Sequence, residues 1–231
     1  MTGFKYYADK VLGEIKSSFA NNMFILLFLI LVFIIPLIAA YYYPDSFASV
    51  LQPMIQQFEQ NIADGTVTLA TDSLFVNNFT VALILYAGGA LLGIMGITVL
   101  AMNGLFLGFF AAQMDLTSYI ALTLPHGIFE IPAIIIACAG GLVLLKFAVL
   151  FVWNIIRPDK HDETYNHYFG DLGLSFKDKF MLSLNKHQDK IKESFILLVV
   201  SAVLLVIAAF IEANLTIPIA RFFLSFLGIQ I

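Results

Sequence analysis

Two carboxylates stand where a carboxylate is expensive. Glu212 ends the run from Ser194 to Ile211, which carries no charge, and Glu130 follows His126 by four residues in Leu124-Pro125-His126-Gly127-Ile128-Phe129-Glu130. On insertion scales an ionised acid at the centre of a membrane-spanning helix costs about 2.5 to 3.5 kcal/mol, so such residues face a partner, a water-filled cavity or an ion. His126 and Glu130 are spaced i, i+4 and project from one helix face. An imidazole beside a carboxylate is half of a divalent-metal site, and Glu212 from a second helix would supply a third ligand for a metal such as zinc. The competing interpretation is a structural His126–Glu130 hydrogen-bonded pair, or a Glu130 that simply carries a proton, without an ion.

Helix lengths decide whether the acids can meet. Glu130 lies 27 residues before Arg157, about 40 Å of helix, and Glu212 lies 19 residues after Glu193, about 28 Å. Both therefore fall near the outer boundary of a bilayer. Asn77, Asn78, Asn103 and Asn214 are polar groups that can line the same pocket, although an isolated Asn more often caps a helix end. Pro125 reads as the first residue of the helix carrying His126 and Glu130, with Pro132 loosening its entry. Asn78-Phe79-Thr80 and Asn214-Leu215-Thr216 are formal glycosylation sequons, discounted because they hug the membrane.

The elements that must position these groups are membrane helices. The chain is 60% hydrophobic and 12% charged, with 23 Phe and one Trp among 231 residues. This implies an all-α, polytopic transmembrane bundle. Met23 to Tyr43, Phe79 to Ala101, Ile131 to Trp153 and Ser194 to Ile211 are each long enough to cross a hydrocarbon core of roughly 30 Å. Gln113, Asp115 and Ser118 interrupt a further apolar stretch, Asn103 to Leu124, so a broken or re-entrant segment is expected around 103–130, giving about five spans. The first apolar run ends without a cleavage site for a signal peptide.

Charge gives the orientation. Lys5, Lys10 and Lys16 precede the first span, and Arg157, Lys160, Lys177, Lys179, Lys186, Lys190 and Lys192 precede the last, placing both segments and the amino terminus in the cytoplasm. The stretch 44–78 has Asp45, Glu59, Asp64 and Asp72 but no Lys or Arg, and reads as an outer loop. The divisions are then 1–22, a cytoplasmic amphipathic segment; 23–153, the bundle with four spans; 154–193, a cytoplasmic loop with an amphipathic helix; and 194–231, the last span with an interfacial or re-entrant tail. The amphipathic segments, at Tyr7, Val11 and Ile15 and at Phe176, Phe180 and Ile191, either lie on the anionic leaflet or pack on each other.

Other features carry blander readings. Gly88, Gly89, Gly93, Gly96, Gly104, Gly108, Gly140 and Gly141 let helices approach closely, within the chain or at a homodimer seam. His161, Asp162, Glu163 and His167 form an acid and imidazole cluster without zinc-site spacing, read as a solvated loop. Cys138, within a span, is read as packing. The net charge of -4 is divided by the bilayer and implies no nucleic acid.

Several blocks together resemble one family: Asn77-Asn78 before a Gly-rich span, Asn103-Gly104, Leu124 to Ala133 with its Pro-His-Gly-x-x-Glu core, and Ala209-Phe210-Ile211-Glu212-Ala213. Across residues 20 to 220 they resemble the stage II sporulation protein M family of integral membrane proteins. The resemblance implies a membrane anchor and scaffold that works with peptidoglycan hydrolases, which do the chemistry, and a shared polar site at His126, Glu130 and Glu212.

The leading expectation is a non-enzymatic scaffold or assembly factor in the plasma membrane of a prokaryote, partnered by the lipid bilayer, a second copy or cell-envelope proteins. A transporter or channel is the first alternative, using the broken third span and Asp115, though no repeated half is visible. An intramembrane metal-dependent enzyme is the second, though no further His-rich motif supplies ligands.

Overall fold

A computed structural model describes residues 3–64, 70–157 and 175–228. These form eight helices without a strand among the described residues: α1 Gly3–Asn21, α2 Met23–Tyr42, α3 Pro44–Ala63, α4 Thr71–Leu92, α5 Ile94–Ala112, α6 Leu116–Ile156, α7 Phe176–Asn214 and α8 Thr216–Phe226. The cluster His161, Asp162, Glu163 and His167 lies outside the described residues. Five helices, α2, α4, α5, α6 and α7, are long and apolar enough to cross a bilayer. The protein is an all-α, multi-pass membrane bundle, as its composition requires.

Helix directions follow from close backbone approaches. Gly104 and Gly108 of α5 pass Phe33 and Leu37 of α2, so these helices run the same way. Tyr86 of α4 meets Gly140 of α6 and Gly93, at the end of α4, meets Leu145, so these two also run together. Tyr119 of α6 hydrogen-bonds back to Leu107 O across the turn after α5, and Ser183 of α7 donates to Phe151 O of α6. Directions therefore alternate through α2, α4, α5, α6 and α7, with α1 at one end and α3 and α8 at the other.

The span boundaries differ from those expected. The apolar run Phe79 to Ala101 is two helices that turn at Gly93, whose φ of 62° is a left-handed conformation that a side chain disfavours. Hydropathy is blind to this break because both sides are apolar. The stretch 103–130 is interrupted at Gln113–Asp115, but its halves belong to α5 and α6, neither of them re-entrant. Asp115 is the N-cap of α6, accepting from Ser118 N at 2.9 Å. Pro125 is consequently interior to α6 and does not begin it. The stretch 44–78 is mostly helix, namely α3 and the start of α4. The amphipathic segment near 176–191 and the last span, expected as separate elements, are one continuous α7. The tail forms the 11-residue α8, too short to cross, whose Ala220 and Leu224 cluster with Ala121 of α6.

α6 is the central post: every residue from Ala133 to Gly141, Cys138 included, is buried. In lipid there is no hydrophobic force between helices, so packing and hydrogen bonds hold them. Ser194 of α7 donates to Gly140 O of α6 at 2.8 Å, which leaves Tyr86 of α4 as donor to the Ser194 hydroxyl, also at 2.8 Å. Next to it, Glu193 is only 7% exposed and accepts from Asn21, Asn22 and Lys190, each at 2.8 Å. This junction ties α1 and α2 to α7. Glu14 of α1 also pairs with Lys192, so the two amphipathic segments do meet, while Tyr7 and Val11 remain exposed.

A Cβ on Gly108 would run into the backbone carbonyl of Leu37, whereas one on Gly13 meets nothing within 4 Å. Gly108→Leu should therefore lose at least about 3 kcal/mol of stability, since overpacking here pushes on backbone, and Gly13→Ala should lose none. Thermal unfolding in detergent checks both; equal melting temperatures would show that α2 and α5 do not pack this way.

Candidate functional site

The site forms because α6 and α7 lose their register. Gly140 meets Ser194 and Phe151 meets Ser183, and extending that antiparallel alignment would set Glu130 beside Leu204 and Glu212 beside Leu122. Instead His126 meets Thr216 and Glu130 lies against Glu212. Ten residues of α6 and eighteen of α7 separate this meeting of side chains from the Gly140–Ser194 contact, a difference of about 12 Å of helix rise that the reach of the two Glu side chains and the course of the helices make up together. Pro125 and Pro132 lie in or beside that stretch. Each removes a backbone donor that an uninterrupted helix would give to the carbonyl four residues earlier, which lets a helix depart from a straight course.

One donor atom from each of His126, Glu130 and Glu212 lies within 4.8 Å of the others. His126 Nε2 is 4.0 Å from Glu130 Oε2. A zinc ion with bonds of about 2.0 to 2.2 Å needs donors no more than about 4 Å apart, so small side-chain rotations would bring the three onto one ion. The imidazole is already oriented. The Thr216 hydroxyl lies 3.2 Å from both Ile211 O and His126 Nδ1. With its one proton given to Ile211 O, Nδ1 is the donor to Thr216 and the Nε2 lone pair is left on the side of the carboxylates, the usual arrangement behind a metal-bound histidine.

The three groups sit in the wall of a cavity of about 630 Å³ enclosed by α2 to α7. Of the expected pocket amides, Asn77, Asn78 and Asn103 line it. Asn103 spends its amide on Val99 O at 2.8 Å, and Asn77 donates to Asn78 at 3.3 Å. Asn214 does not line it: the side chain turns to Phe210 O and Thr71 Oγ1, an end-of-helix role. Among the described residues the lining includes no Lys or Arg.

Two contributors escaped the sequence. Thr216, which orients His126, was visible only as the end of a sequon. Met54 and Gln57 of α3 close one side of the cavity, and they lay in a stretch expected to be a loop; the helical spacing of Phe47, Leu51 and Ile55 was the signal.

The chain has relatives. The sequence profile described as stage II sporulation protein M matches residues 23–217. Uncharacterized protein MJ0706 of Methanocaldococcus jannaschii is 30% identical over 223 residues, covering 93% of this chain and 91% of that protein. Uncharacterized protein MJ0793 of the same organism is 29% identical over 158 residues, covering 66% of this chain and 74% of that protein. No solved structure matches. The profile match begins at the first residue of α2 and takes in all five spanning helices, His126, Glu130, Glu212 and Thr216, and on that match this chain belongs to the stage II sporulation protein M family of membrane proteins.

Proposed function

We propose that this protein is a membrane scaffold whose His126, Glu130 and Glu212 hold a divalent cation, with zinc the best fit, that clamps α6 to α7 and presents α3 and α8 to cell-envelope partners. The observation that carries this is the convergence of three donor atoms from two helices within 4.8 Å. Two carboxylates and a neutral imidazole with its lone pair directed inward suit a cation. Without one, the two charges would repel in a site of reduced solvation.

The proposed orientation places α1 in the cytoplasm of a prokaryotic cell and α3 outside, because Lys5, Lys10, Lys16, Arg157, Lys177, Lys186 and Lys192 gather towards the α1 end. The metal-dependent enzyme is the second reading, favoured by the cavity beside the fourth coordination position that three protein ligands leave open. The transporter reading loses a support, since Asp115 caps a helix and does not sit in the middle of a span.

Zinc at 100 times its Kd should stabilise the purified protein by about 2.7 kcal/mol, and the double variant Glu130→Gln, Glu212→Gln should show no zinc-dependent shift in melting temperature. A variant that still shifts like the wild type would remove the cation from this site. Pull-down from native membranes, repeated with the double variant, reads the scaffold role: partners lost with the cation support it, and cation binding with no partner favours the enzyme.

Thr216→Val leaves the three ligands but frees the His126 ring. Zinc affinity should drop about 10- to 100-fold, as for other supporting partners of metal-bound histidines. Unchanged affinity in a competition titration would show that Thr216 does not set the tautomer.

Topology is checked by single cysteines in a Cys138→Ser background, labelled in intact cells with an impermeant reagent. Asp64→Cys should react and Lys186→Cys should not; the reverse pattern would invert the molecule.

A further inference from the structure

The cavity extends well beyond the needs of an ion. Along α5 it reaches from Leu107 to Thr98, nine residues or about 14 Å, and along α6 from Thr123 to Ile134, about 16 Å. A volume of about 630 Å³ spread over that length is a slot and not a globule. Its character changes along its length. His126, Glu130, Glu212 and Asn77 stand at the end nearest α3, while Phe33, Val81, Val99 and Ile134 form the depth. Thr98 and Asn103 interrupt the apolar wall, the Asn103 amide being already given to Val99 O.

A polar mouth and an apolar depth in a membrane protein match a ligand built the same way, and pockets of this size are ordinarily lined by apolar groups with a few placed polar ones. The head of that ligand is constrained by charge. Among the described residues the lining has no cationic side chain, so an anionic head has no partner of its own; a divalent cation on His126, Glu130 and Glu212 would balance the two carboxylates and leave a coordination position for an oxygen.

We propose that the slot binds a single-chain lipid amphiphile, its hydrocarbon tail between α4, α5 and α6 and a phosphate or carboxylate oxygen of its head on the cation. This rests on the cation reading given above and adds the class of ligand. The tail occupies the Val81 and Val99 walls, and Asn77 and Gln57 stand at the mouth, where they can hydrogen-bond the remaining head oxygens.

The experiment uses the full chain in detergent, with zinc content and lipid binding measured separately. The probe is octanoyl lysophosphatidic acid, whose tail matches the slot's length, followed by native mass spectrometry and titration, with inorganic phosphate and octyltrimethylammonium as comparisons. Zinc-loaded wild type should bind one lysophosphatidic acid, and bind it at least about tenfold more tightly than phosphate alone. Val81→Phe and Val99→Phe, tested individually so that a failure of one to fold leaves the other, should each weaken the lipid about tenfold, with zinc content reporting whether the ligand set survives. Glu130→Gln with Glu212→Gln should lose both zinc and lipid.

Lysophosphatidic acid held equally by both Phe variants would be surface lipid and would overturn the proposal, as would tighter binding of the ammonium amphiphile to the zinc-free chain. Zinc bound without lipid sinks this inference alone. No zinc bound by the wild type sinks the cation reading and this inference with it.

Discussion

Two carboxylates drawn together at membrane depth are the constraint that the α3 end of this protein has to meet. Unit charges 4 to 5 Å apart at an effective dielectric of 20 repel by about 3 to 4 kcal/mol, before any cost of leaving water is counted. A fold meets that with a cation, a shared proton or separation. Here separation is not the solution, because Glu130 and Glu212 come from different helices and still share a donor cluster with His126. The bundle could have kept them well apart simply by continuing the register that α6 and α7 hold lower down.

That register is pinned at the other end. The relay from Tyr86 to Ser194 to Gly140 O joins α4, α7 and α6 by hydroxyl groups, and the glycines beside it bring backbones into contact. Glu193, with three donors around it, shows how the same chain treats a carboxylate it means to neutralise internally: Lys190 and two amides face it. Glu130 and Glu212 are given no such set. Their neighbours are an imidazole, each other and a cavity. The contrast between the two acid sites within one molecule is what the proposed cation rests on, a shared proton being the other way to hold two carboxylates together.

Much of this was legible in the sequence. Span count, alternating direction and the convergence of His126, Glu130 and Glu212 follow from hydropathy, charge and i, i+4 spacing, because burial of ionisable groups in lipid is so costly that few placements survive. What was not legible is local backbone geometry. Gly93 splits an uninterrupted apolar run, and no hydropathy signal can mark a positive φ. Asp115 resembles a buried charge in the middle of a span until the turn that makes it an N-cap is placed. The register slip was also hidden, since helix arithmetic assumes straight, level helices, and that assumption fails around Pro125 and Pro132. Thr216, the first residue of α8, meets His126, a pairing 90 residues apart that no local pattern encodes.

The slip also explains why a site and a cavity occur together. Where α6 and α7 hold register, small residues fill the space between helices and nothing larger than a side chain fits. Where they part, no glycine among the described residues brings α6 against α7, while α3 packs on α2 and α5 by Leu51 and α8 packs on α6 by Ala220. A cation at His126, Glu130 and Glu212 would tie the two departing helices back together while leaving the slot beside them. Thr216, the first residue of α8, rests on the imidazole, and Met54 and Gln57 of α3 border the same space. The helices proposed to face envelope partners are therefore the ones that touch the site, so occupancy of the site is in direct mechanical contact with the surface a partner would read.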